Sequence, residues 1–135
     1  MPELDVNKVI QRVRLAKTSR DVKLLLIDLT GVPGSVIFDA LFPVAVREQG
    51  ATSGPVAFSA VALHALNPPC RLSVDEAVAA LLRSWDISIG EVPWYLAKQF
   101  GRDAIVASIE RLRAGHLDQT ALTRLRTIEY WVGKH

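Results

Sequence analysis

The segment from Pro55 to Leu66 constrains the fold most strongly, because it is a helix-length run that is apolar around nearly its whole circumference. Pro55 suits the first turn of a helix, where its missing N–H would have no intrahelical partner. Asn67, Pro68 and Pro69 then stop the helix. A helix without a polar face is buried on all sides in a soluble protein. The sequence therefore predicts a central helix with the other elements packed around it.

The stretch from Ser73 to Arg113 predicts three further helices in succession. Ser73 followed by Glu76 fits a capping box, in which each side chain accepts a hydrogen bond from the other residue's backbone N–H. Pro93 suits the first turn of the second of these helices. Gly101 is a natural stop for it, because glycine adopts the left-handed conformation without steric cost.

The beginning of the chain also shows helical spacing. An apolar stripe at i, i+3, i+4 and i+7 consists of Val6, Val9, Ile10 and Val13. Thr18 or Ser19 can cap a second helix that has Asp21 in its first turn. The apolar run that follows, residues 24–29, could also be a buried strand, but its cap and its length favour a helix.

Two prolines and a glycine bound the next helical segment. Pro33 opens it, and Gly50 ends it. Pro43 removes a backbone donor and crowds the preceding turn, so we expect a kink or a restart near Phe42. The last helix is expected to begin near Asp118. Its buried stripe consists of Ala121, Leu125, Ile128 and Val132.

Together these segments predict an all-α protein, either a compact bundle or a short solenoid-like array of about eight antiparallel helices. No run alternates apolar and polar residues well enough to predict a strand. A chain of 135 residues is long enough for one core, so residues 1–135 are expected to form a single domain. Residues 67–71 are the one place where it could divide into two subdomains.

The second half of the chain resembles HEAT-type helical-hairpin repeats. The phrase GVPGSVIFDAL at Gly31 to Leu41 is echoed by EVPWYLAKQF at Glu91 to Phe100, each with Val-Pro opening a helix. The resemblance covers mainly residues 73–133 and rests on this pattern. It implies a scaffold or protein-interaction role. The unequal lengths of the segments and the apolar central helix favour a compact bundle instead.

Composition excludes several classes of protein. The formal net charge of +2 is too small by itself to indicate nucleic-acid binding. Cys70 is the only cysteine, so no internal disulfide can form. No stretch is apolar enough to be a signal peptide or to cross a bilayer. We therefore expect a cytoplasmic protein that does not bind membranes.

Chemical signatures are sparse. A pocket near His64 and Cys70 would support a small enzyme or ligand-binding domain, since a Cys-His pair can produce a reactive thiolate. A buried structural role for both is the more frequent outcome. No spacing of His, Cys or carboxylates predicts a metal site, and no phosphate-binding loop or cofactor motif is present.

The aromatic residues suggest a binding surface. Trp85 falls on the buried stripe of its helix, whereas Trp94 and Trp131 fall away from theirs, beside basic residues. Either another helix covers these two rings, or they form an exposed hot spot for a protein partner or a second copy of the chain. The predicted surface consists of Trp94, Tyr95, Lys98, Arg124, Tyr130 and Trp131.

Nucleic-acid binding is the alternative function. Basic residues gather in the first two and in the last two helices, and a continuous face of them could contact phosphates. The candidates are Lys8, Arg12, Arg14, Arg111, Arg113 and Arg126. Interleaved acidic residues argue against such a face, and Arg126 has Glu129 three residues on, a spacing that predicts an ion pair within the helix.

Overall fold

The computed structural model describes residues 5–47 and 54–134, and these contain eight helices and no strand. The all-α prediction is thereby confirmed. The helices are α1 Val6–Leu15, α2 Ser19–Leu29, α3 Gly34–Ala45, α4 Gly54–Leu66, α5 Val74–Ser84, α6 Glu91–Phe100, α7 Arg102–Arg113 and α8 Gln119–Lys134. The third helix was predicted to end at Gly50, which lies outside the described residues, but α3 already ends at Ala45.

Two capping boxes fix the starts of α2 and α5. The Thr18 hydroxyl accepts from the Asp21 N–H, and the Asp21 carboxylate accepts from the Thr18 N–H. Ser73 and Glu76 exchange the same pair of bonds at α5, with distances of 3.1 and 3.0 Å. The start of α5 is as predicted, because a capping box depends only on residues three apart in the sequence. At α2 the cap is Thr18, one of the two residues that the sequence offered.

Of the kink or restart expected near Phe42, the restart is wrong. The helix α3 continues through Pro43 and ends at Ala45. Pro43 lies only two residues from that end, so the donor that it lacks belongs to the last turn. The Val46 N–H still donates to the Phe42 carbonyl, at 3.2 Å, and completes the helix end.

The apolar helix α4 is central, as predicted. It contacts α1, α2, α3 and α6, and Ala65 is its one exposed residue. In the second half, α5 packs against α7 and α8, while α6 packs against α4, α7 and α8. The Tyr95 hydroxyl of α6 donates to the Pro68 carbonyl at 2.8 Å and so ties this half to the end of α4.

The helix α2 lies at the edge of the bundle. Its main contacts are with α1 and α4, made through Val22, Leu25 and Leu29. Among the eight helices of the described residues, none packs against the opposite side of α2, where Leu24 and Ile27 are exposed. Within residues 5–47 and 54–134, no helix is both long enough and apolar enough to span a bilayer.

Candidate functional site

Trp94 and Trp131 pack against each other instead of standing separately at the surface. Their rings are edge to face with centroids 5.5 Å apart, and both side chains are half-buried. The Trp94 indole N–H donates to the Trp131 carbonyl at 3.0 Å, and the Trp131 N–H donates to the Ile87 carbonyl at 2.8 Å. Both indoles therefore join α6, α8 and the loop before α6.

Gly90 makes this packing possible. A Cβ atom at position 90 would lie 2.7 Å from the Trp131 ring, closer than atoms can approach. The ring covers the backbone at the start of α6, where only a glycine leaves space for it. The sequence left open whether Trp131 is covered by another part of the chain or exposed as a hot spot. The half-buried ring agrees better with the covered alternative.

Tyr95 and Arg124 lie inside the protein, so the predicted binding surface has to be corrected at both positions. Tyr95 is fully buried, and burial raises the pKa of its hydroxyl. Arg124 is only 6% exposed. Its guanidinium donates to the carbonyls of Leu82, Arg83 and Trp85 at 2.9–3.2 Å, which places a cation at the C-terminal end of α5.

Tyr130 and Lys98 are the members of the predicted set that remain exposed. Tyr130 is 56% exposed and its ring lies edge to face on Trp131, with centroids 5.4 Å apart. The Lys98 ammonium donates to the His64 carbonyl at 3.4 Å, and the His64 ring lies 5.9 Å from that of Trp94. The aromatic residues thus form one connected cluster across α4, α6 and α8, of which mainly Tyr130 is open to a partner.

The basic candidates are partly paired with acidic residues. Arg12 bonds Asp28 at 2.7 Å, and Arg111 forms a two-pronged pair with Asp75. That pair lowers the pKa of Asp75 to about 2. Such pairs leave these arginines less available to phosphates.

Glu129 pairs with Arg113 instead of Arg126, and Arg113 also bonds Glu110 at 3.0 Å. The predicted Arg126–Glu129 pair is therefore wrong, because α7 lies beside α8 and offers a closer partner. Lys8, Arg14 and Arg126 stay exposed and form no ion pair within the described part of the chain.

His64 and Cys70 have different neighbours. The Cys70 N–H donates to the Gln99 side chain at 2.8 Å, and its thiol lies beside the Tyr95 hydroxyl. Burial raises the pKa of the Cys70 thiol, which is the opposite of what a nucleophilic cysteine requires. In the described ranges, no group of three His, Cys, Asp or Glu side chains could hold a metal ion.

Among the described residues, the most exposed large aliphatic side chains lie on α1 and α2. Leu15 is 74% exposed, Ile27 69% and Leu24 53%. Leu24 and Ile27 are three residues apart and share the side of α2 that faces away from the bundle. We call these three side chains the α1–α2 face. Sequence reasoning missed it, although residues 24–27 are four consecutive apolar residues and cannot all point inward from one helix.

A shallow groove of about 320 Å³ lies between α1 and α2, beside Leu15 and Leu24 but not beside Ile27. The exposed Leu15 and Leu24 stand at its rim, while the buried Ala16 and Leu25 form its base. It is lined in addition by Arg12, Asp21 and Asp28. A recessed apolar base between two helices is the shape that receives an apolar side chain from a binding partner.

Comparisons of the chain with models of protein families, with curated proteins and with solved structures give no match. The resemblance of residues 73–133 to HEAT-type hairpins therefore stays a prediction from the sequence pattern.

Proposed function

We propose that this chain is a non-enzymatic interaction module that binds another protein through the α1–α2 face. The observation that carries the proposal is the exposure of three large apolar side chains on two neighbouring helices, two of which, Leu15 and Leu24, stand at the rim of one groove. Covering each would contribute about 1.5 kcal/mol or more, a substantial part of the roughly 8 kcal/mol that holds a micromolar complex together. A cytoplasmic location, expected from the single cysteine, belongs to the same proposal.

Replacing the two α2 residues together, Leu24→Gln and Ile27→Gln, is expected to abolish partner binding without unfolding the protein. Both side chains are exposed, and glutamine is a good helix former, so the melting temperature should change little. The measurement is a pull-down with the tagged chain from nuclease-treated extract of its native cells, quantified by mass spectrometry. We expect one protein in near-stoichiometric amount with the wild type and recovery near background with the double variant, since a loss of about 3 kcal/mol weakens binding by more than about a hundredfold.

Val106→Gln is the matched control, because Val106 is an exposed apolar residue on α7, at a distance from this face in the sequence. It should retain the partner fully. Equal recovery with the wild type and the double variant would contradict the assignment to the α1–α2 face. Losing the partner on nuclease treatment would instead favour the nucleic-acid alternative.

The enzyme alternative predicts a reactive Cys70, whereas the structure leads us to expect an unreactive one. Because burial raises the pKa of this thiol, little thiolate is present near pH 7. Alkylation of the folded protein by iodoacetamide should be about tenfold slower than alkylation of the same cysteine in denaturant, and should accelerate as the pH rises. A folded chain that reacts faster than the denatured one near neutral pH would revive the enzyme alternative.

A further inference from the structure

We propose that a recess of about 530 Å³ between α5 and α8 binds a small apolar molecule that carries one carboxylate, such as a medium-chain fatty acid. We call it the α5–α8 recess, and its apolar lining is Ala79, Leu82, Leu112, Leu117 and Ala121. The recess belongs to α5, α7, α8 and the loop before α8, so it shares no residue with the α1–α2 face. The inference therefore goes beyond the proposed function, and either can fail without the other.

The apolar lining gives the recess its capacity for a ligand. Leu82 is buried at its base, whereas the other four apolar side chains are half-buried and remain partly in contact with solvent. Two of them, Ala79 on α5 and Ala121 on α8, end at Cβ and leave space that longer side chains would fill. The volume lies in the range of about 300–1,000 Å³ that is usual for small-molecule sites. An apolar ligand would remove this lining from water, and the open side of the recess would leave its polar head in solvent.

The charged lining consists of one acidic and two basic residues, and these are in different states. Asp118 is engaged, because its carboxylate accepts a hydrogen bond from the Ala121 N–H at 2.8 Å. Arg83 is exposed and forms no ion pair among residues 5–47 and 54–134. A carboxylate on a ligand would therefore meet a guanidinium that can hold it through two parallel hydrogen bonds.

Arg124 and the start of α8 add to the positive potential of the recess. The Arg124 guanidinium is held in the wall by its bonds to the carbonyls at the end of α5, so its charge is fixed in place. Thr120 lies in the first turn of α8, where the helix dipole favours an anion. An ammonium group on a ligand would be repelled by both arginines. The lining thus favours a carboxylate over a cation.

The test is a titration of the full chain with octanoate, below its critical micelle concentration, followed by amide NMR spectra. We expect saturable shifts concentrated in residues 79–83 and 112–124, with a dissociation constant of about 1 mM or lower. Octanol has the same chain length without the charge and should bind several-fold more weakly. Shifts concentrated elsewhere, the absence of saturation, or equal binding of octanol and octanoate would overturn the inference.

Two substitutions then separate the charge of the recess from its apolar lining. Arg83→Gln should weaken octanoate binding several-fold and leave octanol binding unchanged, and the effect should shrink at about 0.5 M NaCl because salt screens an exposed charge. Ala79→Leu should fill the recess and weaken both ligands about tenfold or more. Arg126→Gln is the matched control, since Arg126 is an exposed arginine of α8 that does not line the recess.

The Arg83→Gln result decides the inference even if Ala79→Leu proves too unstable to titrate, because Arg83 is exposed and its replacement should leave the fold intact. An Arg83→Gln protein that binds octanoate as tightly as the wild type would overturn the inference. Loss of octanoate binding in Ile27→Gln would assign the ligand to the α1–α2 face and would also overturn it. The pull-down tests Leu24 and Ile27 and does not involve this recess, so failure of the proposed function would leave the octanoate result unaffected.

Discussion

Trp85→Ala is expected to lower the free energy of unfolding by about 3–5 kcal/mol. Trp85 is completely buried where α5 ends, and its indole N–H donates to the Ile89 carbonyl at 3.0 Å. Truncation would open a cavity among α5, α8 and the loop before α6, and would leave that carbonyl without its donor. Since whole domains are stable by only about 5–15 kcal/mol, the loss should be visible as a much lower urea midpoint.

Tyr130→Ala is the matched control for this truncation. It also removes an aromatic ring, but Tyr130 is largely exposed and packs mainly on Trp131. The expected loss is about 1 kcal/mol or less, the size of one edge-to-face ring contact. Circular dichroism should follow both variants, because tryptophan fluorescence would change with the substitution itself. If Trp85→Ala lowered the free energy of unfolding by only about 1 kcal/mol, as expected for Tyr130→Ala, the Trp85 side chain would not be a major contributor to the core.

Local signals predicted the helix boundaries well. The capping box at Ser73, a cap at Thr18 or Ser19 and the stop at Gly101, which has a φ of +86°, need only neighbouring residues. The same holds for the position of α4, because a helix without a polar face has only one place in a bundle. The all-α fold followed from these elements without knowledge of any tertiary contact.

The predicted site was less accurate, because a helical wheel does not show which helix lies beside it. Arg124 lies three residues after Ala121 and four before Ile128, so it borders the buried stripe of α8. Once α8 packs on α5, that border meets the end of α5 and the guanidinium is buried. Tyr130 lies on the opposite side of α8 and stays exposed for the same geometric reason.

The α1–α2 face is a second feature that could not be located from the sequence alone. The run of apolar residues in α2 told us that some must face outward, but either side of the helix could have been the buried one. Packing of Val22, Leu25 and Leu29 on the neighbouring helices decides it, and thereby exposes Leu24 and Ile27. Only the arrangement of α1, α2 and α4 contains that information.

Arg124→Met is expected to destabilise the protein by about 3 kcal/mol, although the sequence had placed this residue on a binding surface. Its guanidinium donates to three carbonyls at the end of α5, and methionine fills similar space without any donor. The carbonyls of Leu82, Arg83 and Trp85 would lose these bonds, and the helix dipole would lose the cation at its negative end. Urea unfolding of the purified variant measures the loss.

Arg124→Lys separates charge from geometry, and Arg126→Met controls for the loss of one positive charge on the same helix. Lysine keeps the cation near the end of α5 but cannot reproduce the fork of the guanidinium, so an intermediate loss is expected. Arg126 is exposed and forms no ion pair within the described residues, so its replacement should cost less than about 0.5 kcal/mol. An Arg124→Met protein as stable as the wild type but unable to bind its partner would return Arg124 to the interaction surface. Loss of stability with retained binding in the folded fraction would establish that Arg124 supports the fold, and that recognition takes place elsewhere on the molecule.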